Sequence, residues 1–244
     1  MFQNTIIKKY ISVQSKEILL PKWDLFKSYF HDNGRQNRIR ELKEEEYQEG
    51  FMRDLFVGVL GYTLKPSDNY NLVLEKKNVK DSKKADSAII FNDKVVSVIE
   101  LKGTNTTDLG KVEVQAFSYK TNQPNCTYVI TSNFEKLRFY IQDATEFIEF
   151  NLFELTQDEF NLMYLCLSSN SIEKDLPLKL KSESISQEDL ITKKLYKDYS
   201  LFKRELYQNL IELNQGYDKL LLFKKSQKLL DRFLFLFFTF KACI

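Results

Sequence analysis

Apolar residues change their spacing several times along this chain, and each change marks an element. Behind Pro21, residues Trp23, Phe26, Tyr29 and Phe30 recur at helical spacing and predict a short helix over 21–31. A second helix is predicted over 38–60, strongly charged at its start and apolar nearly all round towards its end. At about 100° per residue, Glu49 in that helix falls within roughly 20° of Phe56 and Leu60. Two readings of Glu49 follow: an i,i+4 ion pair with Arg53 at the helix edge, or a carboxylate aimed inward. Strands are predicted over 72–76 and in two runs, 85–91 and 95–102, the latter pair joined by Asn92-Asp93-Lys94. A helix over 109–121 and strands over 127–131, 137–141 and 146–150 complete an α/β plan with a mixed central sheet flanked by helices. From there the pattern is helical: 151–167, a polar linker over 168–184 containing Pro177, then 187–214 and 217–241 hinged at Gln215-Gly216. The expected organisation is an N-terminal helical segment (1–37), an α/β domain (38–155) and an α-helical connector (156–244).

Chemistry concentrates in the paired strands. Alternation puts Glu100 and Lys102 on one face with Val96 and Val98, and turns Ser97, Ile99 and Leu101 to the other. With a three-residue loop, Phe91 faces Val95 and Asp86 lies directly opposite Glu100. Directly opposed side chains have Cβ atoms about 4.5–5.5 Å apart, so two carboxylates there repel unless a cation joins them. Mg²⁺ takes carboxylate oxygens at about 2.0–2.1 Å and removes the objection. A two-residue loop would instead set Asp86 against Ile99. Lys102 can orient or deprotonate a water and balance charge on a phosphate. The plainer reading of the same spacing is a surface Glu/Lys pair on an edge strand.

The 244 residues carry a net charge of only +2, so any basic surface is local. Candidates are Arg35, Arg38 and Arg40, and the run Lys76, Lys77, Lys80, Lys83 and Lys84 that leads into Asp86. Cys126, Cys166 and Cys243 are odd in number and widely spaced, which fits a reducing, cytoplasmic setting without a disulfide framework. Cys126 and Cys166 fall in core-like runs. The single histidine, His31, argues against a zinc site. P-loop and dinucleotide-binding glycine motifs do not occur, and residues 1–10 lack the apolar core of a signal peptide.

These residues resemble the PD-(D/E)XK nucleases, whose restriction-endonuclease-like core is a mixed sheet flanked by helices. Asp86 resembles the motif's aspartate, Glu100 its acidic partner and Lys102 its lysine; Ala85 stands where many members have proline. Glu49 resembles the carboxylate that many members carry on the leading helix. Gln115-Ala116-Phe117-Ser118-Tyr119 resembles the Gln-x-x-x-Tyr element of a subset of the family. More narrowly, the stretches 47–56 and 126–140 resemble the N-terminal nuclease region of type IIG restriction–modification enzymes, and the chain through Asp231-Arg232-Phe233 resembles their helical connector.

The resemblance implies a Mg²⁺-dependent DNA endonuclease of a phage-defence system, with Mn²⁺ as a substitute metal. Asp86, Glu100, Leu101 and Glu49 would hold the metal, Lys102 would assist the water, and Gln115, Tyr119, Lys83 and Lys84 would support the site or contact double-stranded DNA. It further implies a truncated connector, since no Asn-Pro-Pro-Tyr or cofactor-binding glycine motif of the methyltransferase follows. A methyltransferase and target-recognition region would then be partners outside this chain, and pairing on DNA a further expectation. The competing expectation is a catalytically silent DNA-binding or assembly module.

Overall fold

Six strands stand side by side in the order in which the chain makes them: β1 (Leu72–Lys77), β2 (Lys84–Phe91), β3 (Lys94–Leu101), β4 (Tyr128–Ser132), β5 (Lys136–Ile141) and β6 (Phe147–Asn151). The structure is a computed structural model describing residues 1–77 and 84–241, with side chains at 76, 77, 84 and 238–241 left aside. Every strand pairs antiparallel with its neighbour except β3 and β4, which run parallel. A parallel neighbour needs a crossover, and α5 (Leu109–Thr121) supplies it. The sheet is therefore mixed and the class α/β, as the periodicity implies.

Alternation along β3 and β4 divides the core. Ile99, Leu101 and Ile130 join Phe26, Phe30, Phe51 and Phe160 in one large apolar cluster. Val98 and Val129 turn the other way and pack with Tyr140 against Ala116 and Tyr119 of α5. The N-terminal helices α1 (Asn4–Ile11), α2 (Lys16–Phe30), α3 (Asn33–Glu41) and α4 (Glu44–Phe51) precede the sheet, and α6 (Gln157–Leu167) and α7 (Ser169–Glu173) follow it. Compact units run Met1–Ser184 and Ile185–Ile244. The expected segment 1–37 does not stand apart, because Phe26 and Phe30 of α2 share a core with the strands.

The β2–β3 hairpin differs from the expected one in two ways that cancel. Its turn has two residues, Asn92 and Asp93, both at positive φ (49° and 60°), which these side chains tolerate and a tight hairpin demands. Phe91 therefore pairs with Lys94, not Val95. Farther along, Ile90 pairs with Val95 but Ile89 pairs with Ser97, so Val96 is an extra residue, a β-bulge on β3. The bulge restores the register lost at the turn. Ser87 pairs with Ile99, and the next residues outward are Asp86 and Glu100. It also exchanges two faces: Val95 packs on the α5 side, while Val96 packs on the large core, opposite to the expected side.

The helix predicted over 38–60 is three pieces. It breaks at Leu42 and Lys43, where the Glu46 carboxylate accepts from the Lys43 N–H (2.7 Å) and starts α4 afresh. After Phe51 the winding becomes π-helical over Met52–Val59, with the Leu60 N–H donating to Leu55 O five residues back (2.9 Å). The predicted linker over 168–184 is instead helical. Pro177 is the second residue of α8 (Leu176–Leu213), where a missing N–H costs nothing, and Leu180 and Ser184 are buried. The last described element is α9 (Lys219–Lys241). Among the described residues no helix is long and apolar enough to cross a membrane.

Phe51 is fully buried and its ring meets those of Phe30, Phe56 and Phe134. Phe51→Ala is expected to cost about 3–5 kcal/mol, read as a lower urea midpoint with an unchanged slope.

Candidate functional site

The pairing of β2 with β3 sets two carboxylates next to each other at the end of the ladder. One Asp86 carboxylate oxygen accepts from the Leu101 N–H at 2.7 Å, which ties its position to the strand that carries Glu100. Glu100 is 1% exposed. Lys102 lies one residue past the end of β3, and its backbone N–H donates to Ser132 O (2.9 Å). Its ammonium turns back to donate to Glu100 Oε1 (3.1 Å), to Leu101 O (2.8 Å) and to Glu44 Oε1 (3.2 Å). Asp86, Glu100, Leu101 and Lys102 are thus brought together as the spacing predicts.

Two further elements close on this group. Helix α5 places Gln115 one turn before Tyr119, and the Gln115 amide donates both to Glu100 Oε1 and to Tyr119 Oη (3.0 Å). Helix α4 contributes Glu44, and the Gln48 amide one turn on stands beside Asp86. Glu49 does not join them. It forms the i,i+4 ion pair with Arg53 (2.8 Å), with both side chains about two-thirds exposed. The inward reading of Glu49 extrapolated a 100° step back from Phe56 and Leu60. The π-helical stretch between them turns by less per residue and breaks that phase. Counted within α4 alone, Glu44 shares its stripe with the buried Tyr47 and Phe51, and this i, i+3, i+7 spacing was the signal for it.

Burial dominates the electrostatics. It pushes the Asp86 carboxyl above its ordinary range, while the Leu101 N–H and Lys102 pull it back. Burial and then the neighbouring Asp86 push Glu100 up to about 7, against the pull of Lys102. Burial alone would lower Lys102, but Glu100, Asp86 and Glu44 together raise it above the usual lysine value. Lys102 is therefore a firmly held cation, and Glu100 is the group whose proton is exchangeable near neutrality. Glu100 Oε2 is buried and has no hydrogen-bond partner among the described residues.

The expected basic surface is only partly described. Lys80 and Lys83 lie outside the described residues, as do the side chains of Lys76, Lys77 and Lys84. The three arginines are paired with acids. Arg35 binds Asp54 and lies over the Tyr29 ring, Arg40 pairs with Glu135 (3.2 Å), and Arg38 approaches Asp32 (3.9 Å). Cys126 and Cys166 are buried free thiols.

The donor set suits a hard divalent cation: carboxylates of Asp86, Glu100 and Glu44 and the Leu101 carbonyl, with no sulfur or imidazole. Among the described residues no three His, Cys, Asp or Glu side chains are drawn together as a finished metal cage. The unpartnered Glu100 oxygen is the position most in need of a cation or donor.

The raised Glu100 predicts a pH dependence. Its carboxyl ionises at about 7 in the folded protein against 4.5 as the ordinary value, so the fold binds more protons between those limits. Stability of the metal-free protein should fall as pH rises through that window. Glu100→Gln should flatten most of the slope, with Asp86 leaving a remainder of the same sign. Urea titrations across the window check this; parallel curves for the two proteins would exclude it.

No family model matches the chain, and neither a curated protein nor a solved structure matches it.

Proposed function

We propose that this chain carries a Mg²⁺-dependent DNA endonuclease module of the restriction–modification type, hydrolysing phosphodiester bonds with an activated water. The observation that carries the reading is the convergence of Asp86, Glu100 and Lys102 at one end of the β2–β3 pair, with Gln115 bound to Glu100. Asp86 and Glu100 would hold the metal with the Leu101 carbonyl, and Glu44 takes the part expected of Glu49. When bound, the metal supplies Lewis-acid polarisation of a phosphoryl oxygen and of water.

The remaining chemistry belongs to the chain. The Leu101 N–H fixes one oxygen of Asp86 and so its orientation. Gln115 and Lys102 engage one oxygen of Glu100, Oε1, and leave the buried Oε2 for the metal. Lys102, held protonated by its acidic neighbours, is suited to orienting water and balancing charge on phosphate rather than to removing a proton. Glu100, as a metal ligand, is not the proton acceptor; the proton lost by water as its oxygen attacks phosphorus would pass to solvent or to a phosphate oxygen.

A second reading, a catalytically silent DNA-binding or assembly module, is favoured by one observation: the Lys102 ammonium is already engaged by three oxygens.

Incubation of supercoiled plasmid with Mg²⁺ or Mn²⁺ separates the two. Asp86→Asn and Lys102→Ala should each lower cleavage by about 100-fold or more, and Glu44→Gln by about tenfold or more, with circular dichroism unchanged. Glu49→Gln should cleave like the parent. Equal cleavage by all four variants would reject the site. Intact plasmid throughout, with DNA binding that weakens steeply in salt, would select the silent module.

A further inference from the structure

Helix α5 rests on the sheet through a narrow apolar stripe and is gripped by a hydrogen bond on each flank. Ala116 and Tyr119 pack on Val98, Val129 and Tyr140, and Val112 is buried on the same side of the helix. Apolar burial is non-directional: it holds a helix down without fixing its rotation about its own axis. At about 100° per residue, Gln115 falls about 70° to one side of the centre of this stripe and Glu113 about 90° to the other. Gln115 donates to Glu100 on β3. Glu113 accepts from the Tyr140 hydroxyl on β5 (2.8 Å). Strand β4 stands between them, so the two anchors are about 9–10 Å apart across the sheet. Hydrogen bonds are directional, and a pair on opposite flanks resists roll of the helix in either sense.

Tyr140 is suited to be the fixed end of the second anchor. Its side chain is fully buried, with the rings of Phe117 and Phe147 at 5.4 Å from its own, so the hydroxyl has one place to be. Burial and then Glu113 push the phenol up to about 12, so it remains a proton donor at neutrality. Arg138 stands beside the same oxygen and is itself held by Glu149 (2.7 Å) and by the Phe147 ring (4.4 Å). We propose that Tyr140 and Glu113 are positioning residues of the site: their hydrogen bond sets the roll of α5 and so keeps Gln115 on Glu100 Oε1. Without it α5 rolls on its apolar stripe, and the Gln115 amide draws away from Glu100 while the stripe stays covered. The part this plays in cleavage rests on the nuclease reading; the placing of Gln115 does not.

NMR and cleavage together test it. Tyr140→Phe removes the hydroxyl and keeps the ring, and Glu113→Ala removes the acceptor from a half-buried position on α5. In either variant the Gln115 side-chain amide resonances, identified by their loss in Gln115→Ala, should move from hydrogen-bonded positions to those of a free glutamine amide. Glu113→Gln keeps an acceptor and should recover most of the change seen in Glu113→Ala. In Mg²⁺-dependent cleavage, Tyr140→Phe and Gln115→Ala should each cost about tenfold or more, and the two together no more than Gln115→Ala alone. A tyrosine that only supports the fold would multiply the two losses. Unmoved Gln115 resonances in both Tyr140→Phe and Glu113→Ala, or losses that multiply, would overturn the proposal. Resonances that move in a protein whose parent leaves DNA intact would uphold the placing of Gln115 and reject the nuclease reading instead. Glu113→Ala keeps the test valid should Tyr140→Phe fail to fold.

Discussion

Asp86 and Glu100 face each other at the end of the β2–β3 ladder, where Glu100 is almost wholly removed from water. Two carboxylates in that position are unfavourable by desolvation and by mutual repulsion, and the surrounding structure is arranged to offset both. Lys102 returns over the strand end to contribute its charge, the Leu101 N–H caps Asp86, and Gln115 from the crossover helix fixes one oxygen of Glu100. The parallel step from β3 to β4 is what brings α5, and with it Gln115 and Tyr119, over this end of the sheet. Glu44 then extends the acidic group from α4. Sheet order, crossover and helix break thus bear on one small volume.

Much of this was legible in the chain, and what was not has identifiable causes. The six strands and α5 follow from their apolar runs and helical period, and their observed bounds lie within a residue or so of the expected ones. Asp86 was set against Glu100 by a three-residue turn; the same opposition arises from a two-residue turn plus a bulge. A bulge leaves no mark in an apolar run such as Val95-Val96, because either residue can face a core. Of the two readings of Glu49, the ion pair with Arg53 is the observed one and the inward one fails for a different reason. Local winding changed from α to π within an apolar stretch, and period arguments assume that it does not. The polar stretch 168–184 read as a linker because tertiary contacts to Leu180, Lys181 and Ser184, not an apolar stripe, hold it helical.

The two compact units face opposite problems. In Met1–Ser184 the difficulty is polar groups inside: among the described residues, Ser87 and Glu100 each keep a buried side-chain oxygen without a hydrogen-bond partner. In Ile185–Ile244 it is apolar groups outside, on helices too few to enclose them.

The extra residue at Val96 separates the hairpin tip from the carboxylate pair. It works as a slip joint: a turn one residue longer, paired with a flush strand, sets the same two carboxylates face to face. What the geometry preserves is their opposition, not the length of chain between them. The tip around Asn92 and Asp93 is accordingly free to be rebuilt in size and charge without re-aiming Asp86 at Glu100.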